Sequence, residues 1–138
     1  MCLFCLVVSV IFGRFINYKS VKSMQLLKDY EAKKNISFPI VYIDFFSKYQ
    51  KKLPHGLVGT DVFNGVEDLN LWAKELLNEN NVKDFLREDD FVFMMHQGYM
   101  FWYFKISGDE NPMVYSYFEG DLKPKDRGKL KYFLGEYI

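Results

Sequence analysis

Asp89-Asp90-Phe91-Val92-Phe93-Met94-Met95-His96-Gln97-Gly98-Tyr99-Met100-Phe101-Trp102-Tyr103-Phe104 is the stretch that decides the fold. Two apolar, aromatic-loaded runs flank a short Gln-Gly break, the pattern of a β-hairpin. A two-residue turn at Gln97-Gly98 pairs His96 with Tyr99 and Met95 with Met100. Gly98 then supplies the positive φ that a type I′ turn requires. Alternation sorts the side chains between two faces. Phe91, Phe93, Met95, Met100, Trp102 and Phe104 fall on one face, which is expected to pack beneath helices. Val92, Met94, His96, Tyr99, Phe101, Tyr103 and Lys105 fall on the other, a mixture of aromatic and polar groups.

Outward from the hairpin, a third strand is expected over residues 113–119, after the turn-rich Ser107-Gly108-Asp109-Glu110-Asn111-Pro112. Its Tyr115, Tyr117 and Glu119 alternate with Val114, Ser116 and Phe118, and the tyrosines resemble the mixed face. A tyrosine joins an apolar body to a polar tip and suits surfaces that meet both protein and water. The Tyr-rich face therefore reads either as a binding surface or as a face covered by another segment or by the C-terminal helix. Pro124 and Gly128 mark a loop, and Leu130, Phe133, Leu134 and Tyr137 suggest a closing helix.

Upstream lie three helices. Ser20 or Ser23 caps the first, whose Val21, Met24, Leu27 and Tyr30 recur every three residues and which ends near Asn35. Pro39 suits the first turn of a second, where its missing N–H is harmless, and Ile40, Ile43, Phe46 and Tyr49 form its buried stripe. Residues 51–60, with Pro54, Gly56 and Gly59, read as a loop with a short strand near Leu57-Val58. The third helix runs from about Glu67 to Asn78, with Leu69, Trp72, Ala73 and Leu76 as its apolar stripe. Helices first and strands later predict an α+β domain with a largely antiparallel sheet and a closing C-terminal helix.

The chain has 138 residues, room for one core. An aromatic fraction of 19% argues against long disorder. Net charge is zero but unevenly spread: residues 1–60 carry nine Lys/Arg against three Asp/Glu, residues 61–110 four against eleven. An acidic middle suits a basic partner and repels a phosphate backbone. Residues 2–12 are apolar apart from Ser9, too short a run to span a bilayer as a helix. Residues 1–19 thus read as an apolar extension, either a weak anchor or the product of a start codon assigned too early, with Met24 as an alternative start. Cys2 and Cys5 are the only cysteines, so the body carries no disulfide framework. That is compatible with a reducing cytoplasm, the expected location.

Catalytic material is thin. His55 lies in a Pro-Gly loop and His96 at the hairpin tip, with no further ligands spaced for a metal. No nucleophile elbow or phosphate-cradling glycine loop is present. Gln97-Gly98-Tyr99-Met100-Phe101-Trp102-Tyr103-Phe104 superficially matches an RNA-binding octamer, but lacks its basic first position, small fourth position and valine. These features predict no enzyme, cofactor, metal or nucleic-acid partner.

The series Leu27-x-x-Tyr30-Glu31, Ile36-x-Phe38-Pro39-x-x-Tyr42-x-x-Phe45-Phe46-x-x-Tyr49 resembles the opening signature of the SUKH superfamily, whose SMI/KNR-type branch is named for a yeast cell-wall regulator. The hairpin, Met113-Val114-Tyr115-Ser116-Tyr117 and the segment Leu130 to Tyr137 resemble its later elements, so the resemblance covers residues 20–138 as one domain. It implies a non-enzymatic protein-binding module. Bacterial members are similar to immunity proteins that block a cognate polymorphic toxin, often a nuclease, and the alternative is a regulatory or scaffold protein with an endogenous partner. On that reading the expected partner contacts are Asp89, Asp90, His96, Tyr99, Tyr103, Tyr115, Tyr117 and Glu119. Oligomeric state stays open.

Overall fold

The structure, a computed structural model, describes residues 15–63 and 65–138, with side chains from residue 24 onward. The reading of the N-terminal extension therefore lies largely outside the described residues. Helix α1 (Phe15–Lys34) begins before the expected serine caps. It stops at Asn35, whose φ of 53° is a left-handed conformation that asparagine tolerates. The Ile36 N–H donates to the Glu31 carbonyl at 3.0 Å and the Asn35 N–H to that of Ala32 at 3.4 Å. This paired pattern satisfies two carbonyls of the last helical turn.

Helix α2 (Ile40–Tyr49) follows Pro39, which takes the N-cap position but has no side-chain cap to offer. Capping comes from a distance. Glu110, in the loop after the second strand, accepts the Ile40 N–H at 2.8 Å. A carboxylate there also meets the positive end of the helix dipole. The following loop holds a 3₁₀ turn (His55–Leu57) where a short strand was expected. Helix α3 (Asp68–Glu79) buries Leu69, Ala73, Leu76 and Leu77. Trp72, predicted for that buried stripe, instead points outward and is 39% exposed. Leu77, four residues after Ala73, takes the inward place.

Four antiparallel strands form the sheet in sequence order: β1 (Asp90–His96), β2 (Met100–Lys105), β3 (Met113–Phe118) and β4 (Lys125–Lys129). Helix α4 (Leu130–Gly135) closes the chain. The predicted β1–β2 register holds for Asp90↔Lys105, Phe91↔Phe104 and Val92↔Tyr103. Beyond a bulge between Val92 and Met94 it slips by one residue, giving Met94↔Trp102, Met95↔Phe101 and His96↔Met100. The turn has positive φ at both Gln97 and Gly98 and is closed by the Tyr99 N–H on the His96 carbonyl, but the ladder starts only at Met100. An inserted residue exchanges faces downstream of it. Met94 thus joins Phe91 and Phe93, while Met95, expected beside them, lies on the opposite side.

Both faces of the sheet are covered. On one, α1, α2 and α4 pack Leu27, Phe38, Tyr42, Phe45, Phe133 and Leu134 against Phe91, Phe93, Met94, Trp102 and Phe104. Tyr42 is the hub of this layer, in ring contact with Phe38, Phe46, Phe91, Phe93 and Phe104, and Phe91 in turn meets Tyr30, Phe38 and Phe104. On the other, α3 and Val82, Phe85 and Leu86 cover Val92, Met95, Phe101, Tyr103 and Tyr117. The sheet edges are guarded as well. Asp61 exchanges hydrogen bonds with Met95, and Asn70 Oδ1 accepts the Val92 N–H at 3.0 Å along β1. At the far edge β4 replaces the expected loop; it is short, basic and bulged, with Gly128 at φ 87°. Those features discourage pairing with another chain.

Candidate protein-binding surface

The expected contact residues divide into three environments. Tyr103 and Tyr117 are 4% and 0% exposed, so their side chains are core rather than surface. The Phe85 ring closes over both, at 6.1 and 5.0 Å, and Asn80 Nδ2 donates to the Tyr117 hydroxyl at 3.1 Å. The segment that hides them is residues 82–86, fixed by left-handed backbone at Asn81 (φ 56°) and Asp84 (φ 58°). No apolar periodicity announces so short and irregular a cover. The C-terminal helix lies on the other side of the sheet.

His96, Tyr99 and Glu119 meet at the hairpin tip. The Tyr99 ring packs edge-on against Phe118 at 5.4 Å and against His96 at 6.0 Å. His96 Nδ1 lies 3.4 Å from Thr60 Oγ1, and the Glu119 N–H donates to the Tyr99 carbonyl at 3.1 Å. Glu119 is exposed. The cluster is a folded tip with an aromatic flank.

Asp89 and Asp90 stand at the opposite end of β1, about 20 Å away for a strand of this length. Asp89 is exposed and pairs with Lys105 at 3.4 Å. Asp90 is half-buried, and its Oδ2 accepts the Arg87 N–H at 2.9 Å. Burial raises the Asp90 pKa above the ordinary aspartate value and Asp89 adds to this; the hydrogen bond from Arg87 and the charges of Lys105 and Arg87 oppose it. Burial first, then Asp90, raises the Tyr103 phenol as well. Asp90, Tyr103 and the half-buried Tyr115 line one open groove of about 540 Å³, with Lys83, Arg87 and Lys129 on its walls. A second cleft of about 530 Å³ lies across the 86–90 segment, toward Tyr30 and Glu67. The segment is thus a ridge with a groove on either side.

One surface feature escaped the sequence reading. Leu71 and Trp72, 55% and 39% exposed, stand on the outer side of α3. The available signal was that Leu69, Ala73, Leu76 and Leu77 already complete an inward stripe without Trp72. Among the described residues no group of three or more His, Cys, Asp or Glu could hold a metal ion, and no helix is long and apolar enough to cross a membrane.

No curated protein and no solved structure matches the chain. A family model described as SMI1-KNR4 cell-wall, of the SUKH group, matches residues 24–134. That span runs from within α1 into α4 and includes the whole sheet. The chain belongs to the SMI1-KNR4 cell-wall family of the SUKH superfamily.

Proposed function

We propose that this protein is a cytoplasmic immunity protein that neutralises a cognate toxin by binding it in a stoichiometric complex. The observation that carries the reading is family membership over residues 24–134, because that family is in general one of non-catalytic binding modules. The charge distribution supports it: the acidic stretch 61–110 supplies α3, whose outer residues Asp68, Glu75 and Glu79 are on the surface. An acidic surface suits a toxin whose own working groove is basic, such as a nuclease. Co-expression with toxins from the same locus, where the locus encodes any, tests this. Rescue of growth together with a stable complex supports the reading, and neither would end it.

The words "cell-wall" in the description of the matching family favour a second reading, a regulatory or scaffold protein with an endogenous partner. It expects a housekeeping protein to co-purify from cells that carry no adjacent toxin gene.

A further inference from the structure

We propose that the outer face of α3 is a docking surface for a basic protein partner, with Trp72 as its anchor. The inference rests on the reading that this chain acts by binding a protein, and it assigns the surface. Helix α3 is held by its inner stripe, Leu69, Ala73, Leu76 and Leu77, against Val92 and Met95. Its outer residues are therefore presented on a fixed frame. Trp72 is 39% and Leu71 55% exposed, two large apolar side chains at consecutive positions of the helix, with Leu71 on the side of the second cleft. Exposed tryptophan is costly to leave in water and is the side chain most often found at the energetic centre of an interface.

Its surroundings specify the partner's charge. Asp68, Trp72, Glu75 and Glu79 are spaced four, three and four residues apart, which places them along one stripe of the helix. Trp72 thus has a carboxylate one turn before it, one a turn after it and a third two turns after it. All three acids are exposed, and none forms an ion pair with any described residue. Lys74 is the single cation of the helix. A second copy packed α3 against α3 would bring carboxylates against carboxylates. A nucleic acid or an anionic membrane would meet the same repulsion. A protein surface bearing arginine fits both features. The guanidinium stacks on the indole face and pairs with the carboxylates, while its stem covers Leu71. Leu71 borders the second groove, but neither groove beside the 86–90 ridge makes this offer by itself, because their acids are interleaved with Lys83, Arg87, Lys105 and Lys129 on one side and Lys34 and Lys74 on the other.

The test uses the full chain and a fluorescently labelled arginine-rich peptide carrying one leucine, with a glutamate-for-arginine peptide as control. Binding is followed by anisotropy and by tryptophan emission, since the other tryptophan, Trp102, is only 8% exposed. The expected result is binding of the arginine peptide alone, with an emission change that is lost in Trp72→Phe. Glu75→Lys with Glu79→Lys should weaken binding at least tenfold, and Glu88→Lys with Asp89→Lys should weaken it less than threefold. Absence of binding, equal binding of both peptides, or a larger loss in the Glu88/Asp89 variant would overturn the proposal. Circular dichroism melts of each variant show that the fold is retained. A toxin complex that forms normally with the Trp72 and Glu75/Glu79 variants would also overturn the assignment, while leaving the immunity reading standing. Peptide binding at α3 without any toxin complex would do the reverse.

Discussion

Glu31 Oε2 accepts a hydrogen bond from the Phe38 main-chain N–H at 2.9 Å, tying the last turn of α1 to the segment that starts α2. The Glu31 carbonyl meanwhile takes the Ile36 N–H. One residue therefore organises the whole connection, and it sets Phe38 against Phe91, with ring centroids 4.9 Å apart. Glu31→Ala should cost about 1–2 kcal/mol, the usual loss when a partly buried N–H is left without its charged acceptor. Glu31→Gln, which can still accept, should cost less. Urea denaturation of the two variants checks the order.

Gly56 is required by a close approach rather than by its φ. A Cβ there would stand 2.6 Å from the Tyr137 main-chain oxygen. The obstacle is backbone, so relief means moving the C-terminal turn, where Tyr137 packs on Phe133 at 5.3 Å. Gly56→Ala is expected to lower the melting temperature, whereas Gly135→Ala, where the added Cβ meets nothing on ordinary helical backbone, should not. Thermal unfolding of both variants decides it.

Tyr103→Ala removes a ring that is 4% exposed and in contact with Phe85, Phe101 and Tyr115. A loss of about 3 kcal/mol is expected for truncating a buried aromatic. Tyr115→Ala, on the groove wall, should cost clearly less. Equal stability of Tyr103→Ala and the parent protein by denaturant titration would contradict the two-faced core.

Asp90 carries a pH signature. Its folded-state pKa is raised, chiefly by burial, above the value of 3.8 for an ordinary aspartate. The folded state therefore holds this proton more tightly than the unfolded chain does. The contribution of Asp90 to stability falls as pH rises from below that ordinary value through the raised one. Asp90→Asn cannot ionise and can still accept the Arg87 N–H, so it should be more stable than the parent at neutral pH. The difference should shrink on acidification. Urea midpoints across a pH series measure this.

The fold was legible where side-chain chemistry repeats. The second helix, the hairpin and the placing of Tyr117 on the face of Phe101 and Tyr103 were legible from apolar residues and turn signals, but the helix buries Tyr42, Phe45 and Phe46, so of the expected stripe Ile40, Ile43, Phe46 and Tyr49 only Phe46 is buried. The bulge at Phe93 did not show, because five consecutive apolar residues give no alternation to break. β4 did not show either, since Lys125-Asp126-Arg127-Gly128-Lys129 has no apolar face; it is held by pairing with β3 and by Arg127 Nε donating to the buried Ser116 Oγ at 2.8 Å. The candidate surface was harder still. Tyrosines mark buried and exposed positions equally well, and only the irregular cover at 82–86 separates Tyr103 and Tyr117 from Tyr99 and Tyr115.

The proposed function is stoichiometric binding of a toxin, one to one. Titration calorimetry of the purified protein against an inactivated form of a toxin from which the gene protects cells tests that most directly. The expected result is saturable binding at a stoichiometry of one, weakened as salt is raised. No heat of binding at any salt concentration, for a toxin against which the gene protects cells, would contradict it.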